Sequence, residues 1–170
     1  MGVRPHTTLA GRREIESLRV PVTGDPNDPG MLAAVANRAH TLIGTQLTAP
    51  GGHRAIEPAD VAVVVSHNAQ ASVVHAQLRG RDMDGVTVGT ADSLQGGQWA
   101  AVVALDPLTG AEGLPAHAMS LGRLCVMASR HYAHLTWVHD GAWRDTPARD
   151  LDTAVDAIGR AFQVRRALTA

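Results

Sequence analysis

Residues 89–98 read GTADSLQGGQ and lie between two apolar runs. Thr90, Asp92, Ser93 and Gln95 bring hydroxyl, carboxylate and amide groups to one loop, while Gly89, Gly96 and Gly97 allow close backbone approach. Successive backbone N–H groups in such a loop can cup an anion. The same glycines also serve a plain connection between strands. A Walker A loop, G-x-x-x-x-G-K-[ST], needs a lysine on the terminal phosphates of ATP. All fifteen basic residues of this chain are arginine, so it does not supply that half of an ATPase site. Asp92-Ser93 is not a nucleophile elbow either, because G-x-S-x-G is absent.

Two further groups carry chemistry. Arg123 and Arg130 are seven apart in a stretch with helical spacing, which predicts two guanidiniums on one helix face. Guanidinium forks match phosphate oxygens and stay charged; on most surface helices they instead pair with carboxylates. Asn68 and Gln70 follow an apolar run where a helix begins. Their amides suit a base edge or backbone groups, and Asn68 also suits an ordinary helix N-cap. The nine histidines are scattered. His131 and His134 lack the H-E-x-x-H arrangement of a zinc site and are expected at the surface or half-buried.

The elements that must position these groups follow from periodicity. The 170 residues include only three Trp, one Tyr and one Phe, so the core must be Ala, Val and Leu. Residues 1–18 have no clear period and read as a linker or fragment edge, with one domain over 19–170. A short strand is expected at 18–22. Asp28 as N-cap and Pro29 at the first helical position start a helix carrying Leu32, Val35, Ala36, Ala39 and Ile43. Residues 48–60 read as a loop. VAVVV (61–65) is a strand buried on both faces, followed by a helix from Asn68 to Arg79. Strands at 86–90, 100–106 and 134–140 bracket a helix at 120–130 with Leu121, Leu124, Cys125 and Ala128 on one stripe. Leu151, Val155, Ile158 and Phe162 predict a final helix. Alternating strands and helices give an α/β fold, a mostly parallel sheet with helices on both faces. Ligands gather at the carboxyl ends of such strands, where SHNAQ, GTADSLQGG and DPLTG fall.

A net charge of −1 excludes a strongly basic nucleic-acid binder but not a local arginine patch. One cysteine, Cys125, excludes an internal disulfide and suits a reducing, cytoplasmic setting. No apolar run is long enough to span a membrane and no signal segment is evident.

Taken in order, the motifs resemble the second RecA-like motor domain of superfamily 1 helicases, in the group that includes the nonsense-mediated-decay and Okazaki-fragment-processing helicases. SHNAQ (66–70) resembles that group's P-Y-x-x-Q, VGTADSLQGGQ (88–98) its V-G-T-V-D-x-F-Q-G-x-E, and RLCVMASRHY (123–132) its R-L-N-V-A-x-[ST]-R-A-R. The resemblance spans roughly residues 60–140. It implies a RecA-like, P-loop NTPase-type domain without Walker A. Arg130 matches the arginine finger that reaches the γ-phosphate of ATP held by a first RecA-like domain, and Gln70 matches a glutamine near the nucleotide. Thr90, Asp92, Gln95 and Gly96 match the motif coupling nucleotide cleft to nucleic acid, with Thr90 and Ser93 as phosphate contacts. Arg123 matches the start of the last motif, where it helps hold the cleft. Gln98 stands where the family has the glutamate that holds the nucleotide sugar, His67 where it has the base-stacking tyrosine, and Cys125 where it has asparagine. His131-Tyr132 replaces the trailing Ala-Arg.

The expected function is therefore the C-terminal half of an ATP-dependent DNA or RNA helicase or translocase. ATP and Mg2+ would bind only in the complete two-domain motor, and the isolated chain would be inactive as an ATP hydrolase. Its partners would be the first RecA-like domain and single-stranded nucleic acid, with no membrane. The alternative is a decayed or stand-alone helicase-type domain that binds nucleic acid or protein without catalysis.

Overall fold

A computed structural model describes residues 7–145 and 156–170. Five parallel strands form the main sheet: β2 (Ile15–Arg19), β5 (Val61–Val65), β6 (Thr87–Thr90), β7 (Trp99–Leu105) and β8 (His131–His139), in the order β2-β8-β7-β5-β6. Helices α1 (Pro29–Leu42) and α2 (Asn68–Arg79) cover one face, α3 (Leu121–Ala128) and α4 (Asp156–Leu168) the other. The chain has the α/β architecture expected of a RecA-like domain.

Period-two burial explains the two faces. Val61, Val63 and Val65 of β5 join α1 and α2 in one core, while Ala62 and Val64 join α3 and α4 in the other. β7 divides the same way, Ala101 and Val103 against Val102 and Ala104. Strands buried on both sides must be apolar throughout, which is why these runs read clearly. The start of α1 also follows its sequence: Asp28 Oδ1 accepts the Met31 N–H at 2.7 Å, and Leu32, Val35, Ala36 and Ala39 are fully buried.

Elsewhere the structure departs from expectation. The segment read as a linker already pairs: β1 (Thr8–Leu9) joins β3 (Gln46–Ala49) and β4 (Gly52–Ala55) in a small antiparallel sheet. The first main-sheet strand is Ile15–Arg19, three residues before the expected 18–22, paired in parallel with Leu135–His139. The stretch 48–60 contains the β3–β4 hairpin instead of a continuous loop. All four residues of β4 are exposed, so it carries no apolar alternation to read. On α3 the buried residues are Leu124 and Met127, and Cys125 is exposed; the core-facing stripe is rotated from the one expected. Leu151 and Val155 lie outside the described residues. Phe162 is buried.

His134 is fully buried, not superficial. Its Nδ1 lies 2.7 Å from Arg13 O and its Nε2 2.8 Å from Thr136 Oγ1. Arg38 Nε donates to that hydroxyl at 2.9 Å and Arg38 also pairs with Glu16 of β2. The network ties the edge strand to β8 and α1. Burial lowers the affinity of His134 for a proton, as it does for His131 and His139. Groups whose folded pKa lies below the unfolded value stabilise the fold above that value and lose the contribution as pH falls. The urea midpoint therefore drops between about pH 7 and about pH 5, and His134→Gln reduces the slope. A flat midpoint across that range would contradict these assignments.

Candidate functional site

Because all five strands are parallel, the domain has a carboxyl edge and an amino edge. α2 leaves the end of β5 for one face, whereas α3 precedes β8 on the other, so the carboxyl ends of β5 and β7 flank a topological switch point, the usual place for ligands in such sheets. A small open cleft lies there, lined by Ser66, Thr90, Pro107, His117, Arg123 and Met127 among others, with room of about 10 Å³.

Each wall has a local cause. Gln70, buried at the start of α2, accepts the N–H groups of Ser66 at 3.0 Å and His67 at 3.1 Å, and donates to Pro26 O at 2.5 Å. These bonds commit both ends of its amide to backbone. The N-cap is His67, and Asn68 is the first helical residue, not the cap. After β6 the chain turns tightly: Ser93 Oγ accepts the Thr90 N–H at 2.9 Å and donates to Thr90 O at 3.0 Å. Gly89 permits this, since a Cβ there would stand 2.4 Å from Ser93 Oγ. Gly96 has a φ of +89°, the left-handed region that favours glycine. Asp92 is exposed and accepts from Arg123 Nη2 at 2.8 Å, so the loop is pinned to the first turn of α3. Ser120 caps that turn through its hydroxyl.

The expectation that Arg123 and Arg130 share a helix face is corrected by the structure. α3 ends at Ala128, and Arg130 lies beyond it, just before β8. Since α3 runs back along the sheet, Arg123 sits at the carboxyl edge and Arg130 at the amino edge. Arg130 Nε donates to Val126 O at 3.3 Å, and its own carbonyl accepts the Trp99 N–H at 2.9 Å. That bond places exposed Gln98, the residue before Trp99, beside Arg130 in the backbone.

The candidate residues thus form two groups. Gln70, Thr90, Asp92, Ser93 and Arg123 belong to the carboxyl edge, while Gln98 and Arg130 belong to the amino edge. Residues 91–98, with exposed Gln95 and Gly96 on the way, run from the end of β6 to the start of β7 and connect them.

Neither protein-family models nor curated proteins match this chain.

Sequence reading missed His117, which sits in a non-periodic segment after β7. Its ring centroid lies 4.9 Å from that of His67, edge to face. Burial first, then the nearby His67 and Arg123, push its pKa below the usual histidine range. It also missed Asp106–Arg165, a pair with both side chains fully buried. Arg165 Nε lies 2.9 Å from both Asp106 oxygens and Nη2 donates to Ala118 O at 2.7 Å. Through Ala118 the pair anchors the segment that carries His117. Among the described residues no group of three or more His, Cys, Asp or Glu could hold a metal ion, and no helix is long and apolar enough to cross a membrane.

Proposed function

We propose that this chain is the second RecA-like half of an ATP-dependent superfamily 1 helicase or translocase acting on DNA or RNA. The observation that carries the reading is the path of residues 91–98, which joins two separated sets of polar groups across the sheet. Thr90 and Ser93 at the carboxyl edge suit nucleic-acid phosphates. Arg130 and Gln98 at the amino edge suit the γ-phosphate and ribose of an ATP whose Mg2+ and lysine belong to a first RecA-like domain. A guanidinium stabilises charge on a transferring phosphoryl group, and the Gln98 amide still bonds a hydroxyl, without the added strength of a carboxylate. A loop that joins the two edges links nucleotide state mechanically to strand grip.

Gln98, His67 and Cys125, each differing from the family pattern, favour a second reading: a non-catalytic domain that binds nucleic acid. Both readings predict that the chain alone binds a labelled single-stranded oligonucleotide, with affinity falling as salt rises, and hydrolyses no ATP. Turnover by the isolated chain, stimulated by single-stranded DNA, would overturn the two-domain assignment. Failure to bind any single strand would remove the nucleic-acid partner from both.

A further inference from the structure

The cleft at the carboxyl edge contains more positive charge capacity than its carboxylates answer. Arg123 enters it from α3, His117 from the segment after β7, and His67 adjoins His117 from the cap of α2. Among the described residues, the one carboxylate paired into this cluster is Asp92, on the loop after β6, and it is exposed. Beneath the cleft, Asp106 and Arg165 answer each other in their buried pair. Ser66 lines the same space, and its buried Oγ has no hydrogen-bond partner among the described residues. An unpaired buried hydroxyl is costly and marks a place where a ligand or water completes the bonding. Room of about 10 Å³ admits one water-sized group, such as a single phosphate oxygen.

We infer that Ser66, Thr90, His117 and Arg123, with His67 beside them, form a phosphodiester-binding site for single-stranded nucleic acid that tightens as the pH falls. The inference rests on the nucleic-acid partner proposed above and extends its contact from the turn at Thr90 and Ser93 to Ser66, His117 and Arg123. A bound phosphate oxygen accepts from the Ser66 hydroxyl and from Arg123, and its charge offsets the repulsion by His67 and Arg123 that adds to burial in disfavouring protonated His117. Protonated His117 then donates a charge-assisted bond. A phosphodiester keeps its single negative charge throughout the range in which histidine titrates, so any pH response comes from the protein. Asp92 competes for Arg123, and its removal frees that guanidinium for the ligand.

The test is fluorescence anisotropy of a labelled oligothymidylate with the full chain at constant ionic strength. Binding strengthens by roughly threefold or more between about pH 8 and about pH 6. His117→Gln abolishes this pH response while circular dichroism stays unchanged. Arg123→Ala weakens binding by about tenfold at both pH values, and Asp92→Asn strengthens it at both. Oligothymidylate binding with a flat pH profile, or with a profile that His117→Gln leaves intact, overturns this inference but leaves the nucleic-acid partner standing. No binding at any pH overturns both. If inorganic phosphate shifts the His117 imidazole resonances and oligothymidylate does not, the cleft takes small anions and the inference also falls.

Discussion

Asp106→Ala lowers the unfolding free energy by about 3–5 kcal/mol, because it strands a buried charge. Arg165 has no exposure to solvent, and Asp106 is its only carboxylate partner among the bonds described. Without Asp106, the guanidinium keeps, among the described residues, only the carbonyls of Ala118 and Ala161. Asp106 also accepts from Trp137 Nε1 at 3.2 Å and from the Leu108 N–H at 3.0 Å, so one truncation orphans several donors. Asp106→Asn retains an acceptor and costs less. Urea denaturation measures both: the midpoint shifts, and an unchanged m-value shows that the loss is one of stability. A loss under about 1 kcal/mol would mean that water reaches Arg165 and that the pair does not hold α4 to the sheet. The effect extends to function, since loosening Ala118 also loosens the adjoining His117 and the cleft wall.

In a motor assembled from this chain and a P-loop domain, in one polypeptide or as a complex, Arg130→Ala lowers ATP turnover by about a thousandfold. The Nε–H bond to Val126 O fixes the side chain's stem. It leaves Nη1 and Nη2 without a hydrogen bond described to other residues, the arrangement a finger acting across an interface requires. Arg130→Lys keeps the charge but loses the fork, so it recovers only part of the turnover. Neither variant changes oligothymidylate affinity, because Arg130 and the cleft proposed to bind nucleic acid occupy opposite edges of the sheet. Wild-type turnover in Arg130→Ala would remove the finger role and favour the non-catalytic binding domain.

The separation of Arg123 from Arg130 shows where sequence reading stopped. Spacing of seven predicts a shared face only while the helix continues, and the end of α3 depends on β8 pairing with β7. Trp99 N donating to Arg130 O helps draw that residue to the sheet edge. Gln70 was legible as a first-turn residue, but its bond to Pro26 depends on a loop far back in the chain. His117 and Asp106–Arg165 had no local signal at all. Each gains its meaning from a partner distant in sequence, and neither periodicity nor motif spacing encodes such a pair.

From sequence alone, the doubly covered sheet, the start of α1 and the three segments at the carboxyl edge could be read. Those features rest on local rules: apolar runs where both faces are buried, a cap that answers free N–H groups, and glycines where backbone comes close. Only the tertiary structure decided that β2 is an edge strand tied down by His134 and Arg38, that the candidate residues divide between two edges, and that residues 91–98 bridge them. The reason is geometric. A parallel sheet returns each strand to the same edge through a long connection, so residues near in sequence can end far apart, and residues far apart in sequence can share a cleft.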